Sequence, residues 1–419
     1  MRGRYWVETL GCPKNQVDSD KLEGTLVADG YVRADAVGDA DVVVVNTCAF
    51  IEDARRESID VTLELAEARK PGARLVVTGC LAERYGEELA GALPEADLVA
   101  GFGVPVTLGR VPAPGPVPRM DLLNLPRPRS GRPWAYVKVA EGCDRTCGFC
   151  AIPSFRGPQR SRTTESILAE VDALDVEEVV LVAQDLASYG RDRGAPGIVG
   201  LVRAVSRLVR RVRLLYLYPS DLTDGLIDVI EADAVHYFDL SLQHVSKPHL
   251  RRMRRWGDGE RFLRRIEDIR VRMPDAAFRS NFIVGYPGET EADHDQLLRF
   301  VHDAQLDWCG FFAYSEEAGT YAAGLPQKVD ASLMADRLAE VRAVQDDITT
   351  ARRAALLGTT TTVLVDEPGV ARSHREAPEI DGIVVVPAEL APRSFVTVEV
   401  TGAAGPDLEA RPVPARLAG

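Results

Sequence analysis

Three cysteines crowd into the run Glu141-Gly142-Cys143-Asp144-Arg145-Thr146-Cys147-Gly148-Phe149-Cys150, with the spacing C-x3-C-x2-C. Three thiolates this close together suit a four-iron iron–sulfur cluster, which takes four cysteine ligands when the protein supplies them all. With three on offer, one iron is left open to a ligand that is not protein. An open iron beside a reducing cluster is a place to bind and cleave a small molecule. The alternative is a structural zinc knuckle, but zinc sites come as two C-x2-C halves or pair cysteines with histidines at set spacing. No second half and no nearby histidine follows Cys150.

Three further cysteines stand far upstream, and the elements around them decide whether they can meet. Residues 6–10, 42–45 and 75–78 are short apolar runs rich in β-branched side chains, and helical patterns fill 18–29, 52–69 and 82–92. Strands alternating with helices predict a parallel sheet covered on both faces. Cys12, Cys48 and Cys80 each fall one to three residues after one of these strands. In a parallel α/β sheet all such strand ends lie on one edge, where ligands bind. A cysteine in isolation is more often a small buried hydrophobe. Three at the same structural position weaken that explanation and point to a second cluster. Cys309, in the apolar stretch Asp307-Trp308-Cys309-Gly310-Phe311, has no partner in sequence and is expected to be a buried hydrophobe.

Residues 104–133 hold eight prolines and little periodicity, which predicts an extended linker. Alternation then resumes, with strands expected at 135–140, 178–182, 212–217, 237–240, 278–284 and 310–313. Six strand–helix units predict an open, partial (β/α) barrel, since a complete one takes about 250 residues. The cysteine run occupies the loop after its first strand, again the edge where ligands bind. A long helical stretch, 331–357, closes this part. Short β-branched runs at 360–365, 383–386 and 395–400, punctuated by Gly and Pro, predict a small antiparallel barrel. The expected fold class is thus α/β, with units at 1–104, 105–133 (linker), 134–357 and 358–419.

Polar residues follow the strands of the second unit at the same edge: Gln184-Asp185, Gln243-His244, and Gly285 in Gly285-Tyr286-Pro287-Gly288-Glu289-Thr290. Glycine lets backbone approach a ligand closely, although any one such turn is as readily a plain strand–helix connection. Arg156, Arg160 and Arg162 come just after the cysteine run and could meet a ligand carboxylate or only solvent. A lone His such as His244 is more often hydrogen-bonded structure than a base.

The chain of 419 residues carries a net charge of −13, with 27% charged and 46% hydrophobic residues. That describes an ordinary globular protein and disfavours one whose affinity rests on neutralising phosphates. No run of about 18 apolar residues predicts a membrane span. The N-terminus lacks the apolar core of a signal peptide, so a cytoplasmic location is expected. Seven cysteines, an odd number, argue against a fully paired disulfide framework and for thiols that bind metal.

The motif C-x3-C-x2-C is the signature of the radical S-adenosylmethionine (SAM) enzymes. Gly11-Cys12-Pro13-Lys14-Asn15, Asn46-Thr47-Cys48-Ala49-Phe50, Gly79-Cys80-Leu81 and Ala151-Ile152-Pro153-Ser154-Phe155-Arg156-Gly157 resemble the methylthiotransferases among them. Within those, the chain is most similar to the branch that modifies an aspartate of a small-subunit ribosomal protein. The resemblance runs from about Tyr5 to the last residues. It implies two [4Fe-4S] clusters, one on Cys143, Cys147 and Cys150 that binds SAM and generates a 5′-deoxyadenosyl radical, and an auxiliary one on Cys12, Cys48 and Cys80. It implies SAM contacts at Phe149, Gln184, Asp185, Gln243 and Gly285, and a TRAM domain for the terminal barrel. The radical would take hydrogen from the β-carbon of the aspartate, which then collects a methylthio group. Implied partners are the ribosomal protein, free or on the subunit, and an electron-donor protein. A monomer suffices, since one chain supplies both clusters.

The main rival is a tRNA adenosine methylthiotransferase with the same clusters. Those enzymes typically carry Gly-Cys-Gln-Met-Asn where this chain has Gly11-Cys12-Pro13-Lys14-Asn15. From Leu357 to Gly419 there are nine Asp/Glu against five Arg, and no Lys. An RNA-binding barrel is expected to be basic, so nucleic-acid contact is not favoured. The chain departs from the family at Ser241, where Pro is frequent, and at Pro406-Asp407-Leu408, where an aromatic often precedes Asp-Leu. A reading from another class is a non-catalytic iron–sulfur carrier or RNA-binding module. Carriers usually ligate every iron with protein, so SAM binding separates the two.

Overall fold

The computed structural model describes residues 3–102, 104, 122–194 and 197–413. Much of the expected linker, 105–121, lies outside the described residues.

The first unit runs β1 (Gly3–Thr9), α1 (Pro13–Ala28), β2 (Tyr31–Arg33), β3 (Val42–Thr47), α2 (Glu52–Ala68), β4 (Arg74–Gly79), α3 (Cys80–Ala92) and β5 (Leu98–Val99). All pairings are parallel, in the order β2-β1-β3-β4-β5. The central strand β3, Val-Val-Val-Val-Asn-Thr, is buried throughout, as a parallel strand covered on both faces must be. Its side chains alternate. Val42 and Val44 pack with Leu22 and Leu26 of α1, while Val43 and Val45 pack with Val61 and Leu65 of α2.

The second unit has strands β6 (Trp134–Lys138), β7 (Ala140–Glu141), β8 (Arg160–Ser161), β9 (Glu178–Val182), β10 (Arg211–Leu214), β11 (Tyr237–Gln243), β12 (Ala277–Val284) and β13 (Trp308–Ala313). Helices α4 (Ile152–Arg156), α5 (Thr164–Leu174), α6 (Ile198–Val205), α7 (Asp224–Asp233), α8 (Lys247–Arg252), α9 (Gly259–Arg272), α10 (Glu291–Ala304) and α11 (Ala331–Ala354) fill the intervals. Strands β6, β9 and β10 form one parallel triple and β11, β12 and β13 another. A parallel bridge between Leu217 and Leu240 joins them. The result is a six-stranded open barrel with strands in chain order, as expected. The short pair β7 and β8 is antiparallel and stands apart. Alternate residues again face opposite ways. Ala135 and Val137 meet the helices, whereas Trp134, Tyr136, Val180, Val182 and Tyr237 line the other face. Val17 of α1 enters that second cluster, so the first unit packs against the barrel.

A single capping box opens α10: Thr290 accepts from the Asp293 backbone, and the Asp293 carboxylate accepts in return from the Thr290 N–H at 3.0 Å. Thr290→Ala removes one arm of it and is expected to cost about 1 kcal/mol, measurable as a lower midpoint in urea unfolding.

Strands β14 (Thr360–Glu367), β15 (Val370–Arg372), β16 (Val384–Val385), β17 (Phe395–Ala404) and β18 (Asp407–Pro412) close into a barrel in the order β14-β15-β16-β18-β17. Val363, Val365, Val384, Val398 and Leu408 fill it. The tail of the expected linker is not free chain. Leu122 and Leu123 are buried, and the buried Lys21 ammonium donates to the carbonyls of Leu123 at 3.0 Å and Leu125 at 2.8 Å. Leu122–Asn124 form a single 3-10 turn rather than extended chain, and a cation from α1 satisfies two of the carbonyls at and just after it. Among the described residues, no helix is long and apolar enough to cross a membrane.

Candidate metal centres at two cysteine triads

Parallel topology delivers Cys12, Cys48 and Cys80 to one edge. Cys12 is the N-cap of α1, with Pro13 at the first helical position, where a missing N–H costs nothing. Cys48 directly follows β3, and Cys80 opens α3 straight after β4. Two glycines make the approach close. A Cβ on Gly11 would sit 2.8 Å from the Cys48 sulfur, and one on Gly79 would sit 2.3 Å from Asn46 Oδ1 and 2.6 Å from the Thr47 nitrogen. Both have positive φ, +95° and +93°, which glycine adopts without strain.

Asparagines fix the loops. Asn15 Nδ2 donates to the carbonyls of Leu10 at 2.8 Å and Thr47 at 3.0 Å, and Asn46 Nδ2 donates to the Asn15 carbonyl at 2.8 Å. The backbone N–H of Cys48 donates to Ser58 Oγ at 3.0 Å. Motif residues Asn15, Asn46 and Thr47 thus tie three strand ends together, a role their spacing alone did not reveal. Burial pushes the Cys48 thiol up to about 12, helped by Cys12 and Cys80. Burial also raises Cys80, with Arg156 opposing. For Cys12 burial pulls upward too, but Lys14, Arg156 and nearby backbone N–H groups outweigh it and hold the thiol below its ordinary value.

The second triad lies in the loop between β7 and α4. Gly142 lets this loop turn against the 157–158 backbone: its φ is +77°, and a Cβ would come 2.1 Å from the Pro158 carbonyl oxygen. Cys143 N donates to the Gly157 carbonyl at 3.1 Å, and Gly148 N to that of Met253 at 2.8 Å. Arg255 Nη1 donates to the Cys147 sulfur at 3.2 Å, and the Arg145 backbone to that of Cys143 at 3.4 Å. Burial pushes the thiols of Cys143 and Cys150 up to about 11 and about 12, and the neighbouring sulfurs add to this.

Several of the expected ligand-binding residues gather beside this loop. Asp185 accepts from Arg145 Nε at 2.6 Å, and Gln184 Nε2 donates to Glu141 at 2.8 Å. The remaining oxygens, Gln184 Oε1 and Asp185 Oδ1, are buried without a protein partner. Gln243 ends β11 with a positive φ of 72°. Phe149 is half-buried against the barrel core. Gly285 directly follows β12. Its N–H donates to Glu289 at 2.6 Å, and a Cβ there would overlap Met334 at 2.3 Å. The missing side chain makes room for Met334 of α11. Arg156 and Arg162 are buried in ion pairs with Asp18 and Glu141 and with Glu170, so neither points to solvent. Cys309 is half-buried rather than buried.

His244, His249 and Glu289 bring three ligand atoms within 4.8 Å of one another, and all three are buried. The Ser246 N–H donates to His244 Nδ1 at 3.1 Å. That lone pair being taken, neutral His244 carries its proton on Nε2. It is a donor there, and the trio does not have the lone pairs of a three-ligand ion site.

Three family models match in succession: uncharacterized protein family UPF0004 over residues 4–101, the radical SAM superfamily over 137–301 and the TRAM domain over 357–413. The ribosomal protein uS12 methylthiotransferase RimO of Moorella thermoacetica is 44% identical, across 95% of this chain and 96% of the relative. That of Myxococcus xanthus is 42% identical, across 97% and 91%. Among solved structures, the radical SAM methyltransferase TsrM of Kitasatospora setae superposes with a TM-score of 0.52 at 14% identity, across 83% of this chain and 89% of that one, a likeness of fold. With two cysteine triads at strand ends, an open barrel and a terminal β-barrel in one chain, and with relatives this similar over nearly their whole length, the chain belongs to the RimO family of radical SAM methylthiotransferases.

Proposed function

We propose that the chain transfers a methylthio group to the β-carbon of an aspartate in ribosomal protein uS12, with Cys143, Cys147 and Cys150 holding the cluster that binds SAM and Cys12, Cys48 and Cys80 holding the auxiliary cluster. The observation that carries this is the donor chemistry. Each triad gathers three thiols and no fourth protein thiol among the described residues, and within each triad burial pushes two of the three thiols up. Such thiols stay protonated in water and release their protons to solvent when a metal takes the sulfur. The clusters and SAM, when bound, supply radical hydrogen abstraction and the methylated sulfur.

The chain's own residues position and enclose. Gln184 Oε1 and Asp185 Oδ1 are spare buried acceptors beside the cysteine loop, suited to the ammonium or ribose hydroxyls of SAM. Arg145 aims Asp185 through its 2.6 Å bond. Phe149 stands within that loop, between Cys147 and Cys150, and Gln243 ends β11. Between the two halves, Lys138 of β6 is fully buried and pairs with Asp18 of α1 and with Glu141, so that a compensated charge lies inside the seam. An electron-donor protein would supply reducing equivalents. The terminal barrel exposes Glu367, Glu379, Glu389 and Glu409, whereas Arg372 is buried against Asp366 and Glu178. This surface suits a basic ribosomal protein better than RNA, and the work would be done in the cytoplasm by a monomer.

The test is anaerobic reconstitution with iron and sulfide, followed by reductant, SAM and a uS12 peptide, with tRNA in parallel. Mass spectrometry is expected to find a methylthio adduct on the peptide aspartate and none on tRNA. An adduct on tRNA alone overturns the substrate.

A further inference from the structure

Helix α4 begins two residues after Cys150 and ends at Arg156. Its first residues follow the second cysteine triad, and its last side chain reaches the first. Arg156 Nη2 donates to the Cys80 sulfur at 3.0 Å and to Asn15 Oδ1 at 2.7 Å. Arg156 Nη1 donates to Glu141 Oε1 at 2.8 Å and to Asp18 Oδ2 at 3.3 Å. The guanidinium lies 4.4 Å from the Phe102 ring centroid, and its side chain is 3% exposed. Glu141 Oε1 also accepts from the Gly142 N–H at 3.2 Å, directly before Cys143. A continuous polar path therefore runs from the Cys80 sulfur through Arg156 and Glu141 to the backbone that carries Cys143.

We infer that Arg156 is a positioning residue for the auxiliary centre: it anchors Cys80 to the radical SAM half and raises the reduction potential of the cluster that Cys80 helps to hold. The inference rests on assigning Cys12, Cys48 and Cys80 to a cluster. A hydrogen bond to a ligating sulfur and a buried positive charge both favour the reduced, more negative cluster. The geometry calls for arginine. Two nitrogens of one rigid planar fork serve the sulfur and the carboxylate from fixed positions, whereas the donors of an ammonium radiate from a single atom. Cys147 has its own arginine donor, Arg255 at 3.2 Å, but both of those residues belong to the same half. Arg156 alone of the two joins a cysteine of one unit to the other.

The test uses the full chain with Cys143, Cys147 and Cys150 changed to Ala, so that only the auxiliary cluster remains, and the reciprocal chain with Cys12, Cys48 and Cys80 changed. Arg156→Gln and Arg156→Lys go into each. Iron content and the potential from an EPR-monitored redox titration are the readouts. Both substitutions are expected to lower the potential of the auxiliary cluster, Gln more than Lys, and to leave that of the other cluster unmoved. An unchanged auxiliary potential, or an equal shift in both clusters, overturns the inference. Should Arg156→Gln lose its iron in both backgrounds, Arg156→Lys decides alone on the same criterion. Absence of iron from the auxiliary triad when Arg156 is intact is a separate result, and it defeats the cluster assignment itself.

Discussion

Changing Cys147 to Ala is expected to abolish SAM cleavage while leaving the fold and the auxiliary triad intact. Cys147 is the middle cysteine of C-x3-C-x2-C, and its removal leaves two thiolates where a four-iron cluster with an open iron needs three. The loop itself does not depend on the sulfur: Gly142, the Cys143–Gly157 bond and the Gly148–Met253 bond define its path. Cys147 is only half-buried, so the smaller side chain leaves little cavity. The first unit builds its own triad from β1, β3 and β4, and it should still load. Iron analysis should therefore fall to roughly half, one four-iron cluster in place of two. Chromatography should find no 5′-deoxyadenosine. Full iron retention by the variant would sink the assignment.

Glu178→Gln should destabilise the protein by about 3–5 kcal/mol, the usual cost of breaking a buried ion pair by removing one partner. Glu178 is fully buried at the start of β9 and joins the terminal barrel to the radical SAM barrel. Its carboxylate accepts from Arg213 Nε at 2.8 Å and pairs with Arg372 of β15 at 3.2 Å. Glutamine keeps the shape but leaves two arginines with one anion fewer. Burial by itself would raise the Glu178 carboxyl, yet Arg213 and Arg372 outweigh it and hold it at about 2, against an ordinary 4.5. A carboxyl depressed on folding stabilises fully above its unfolded value, and the contribution disappears as pH drops through the folded one. The gap in urea midpoint between wild type and variant should thus be widest near about pH 7 and shrink between about pH 4.5 and about pH 2. A gap that stays constant in acid would show that packing rather than charge is lost.

Strand placement was legible wherever apolar β-branched runs stood between helical patterns. The strand expected at 178–182 is Glu178–Val182 as found. Short edge strands escaped notice, because Tyr31–Arg33 and Leu98–Val99 are too brief to show a period. The helical pattern begins only at 18, whereas α1 starts at Pro13. Lys14, Asn15 and Asp18 are polar yet buried, so the first turns of α1 do not look amphipathic. Their burial comes from Arg156, Lys138 and Tyr216, all more than a hundred residues away.

Cysteine spacing, the alternation of strand and helix, and hence the strand edge to which each cysteine is delivered could be read along the chain. Those are local properties, fixed by near neighbours and by the geometry of parallel sheets. What surrounds the sulfurs was settled by packing between distant segments. That Arg156 reaches Cys80 while Arg255 reaches Cys147, and that Gly285 makes room for Met334, depends on contacts between distant segments. In a close-packed interior such contacts are settled by how whole layers seat on one another, and no spacing along the chain records that.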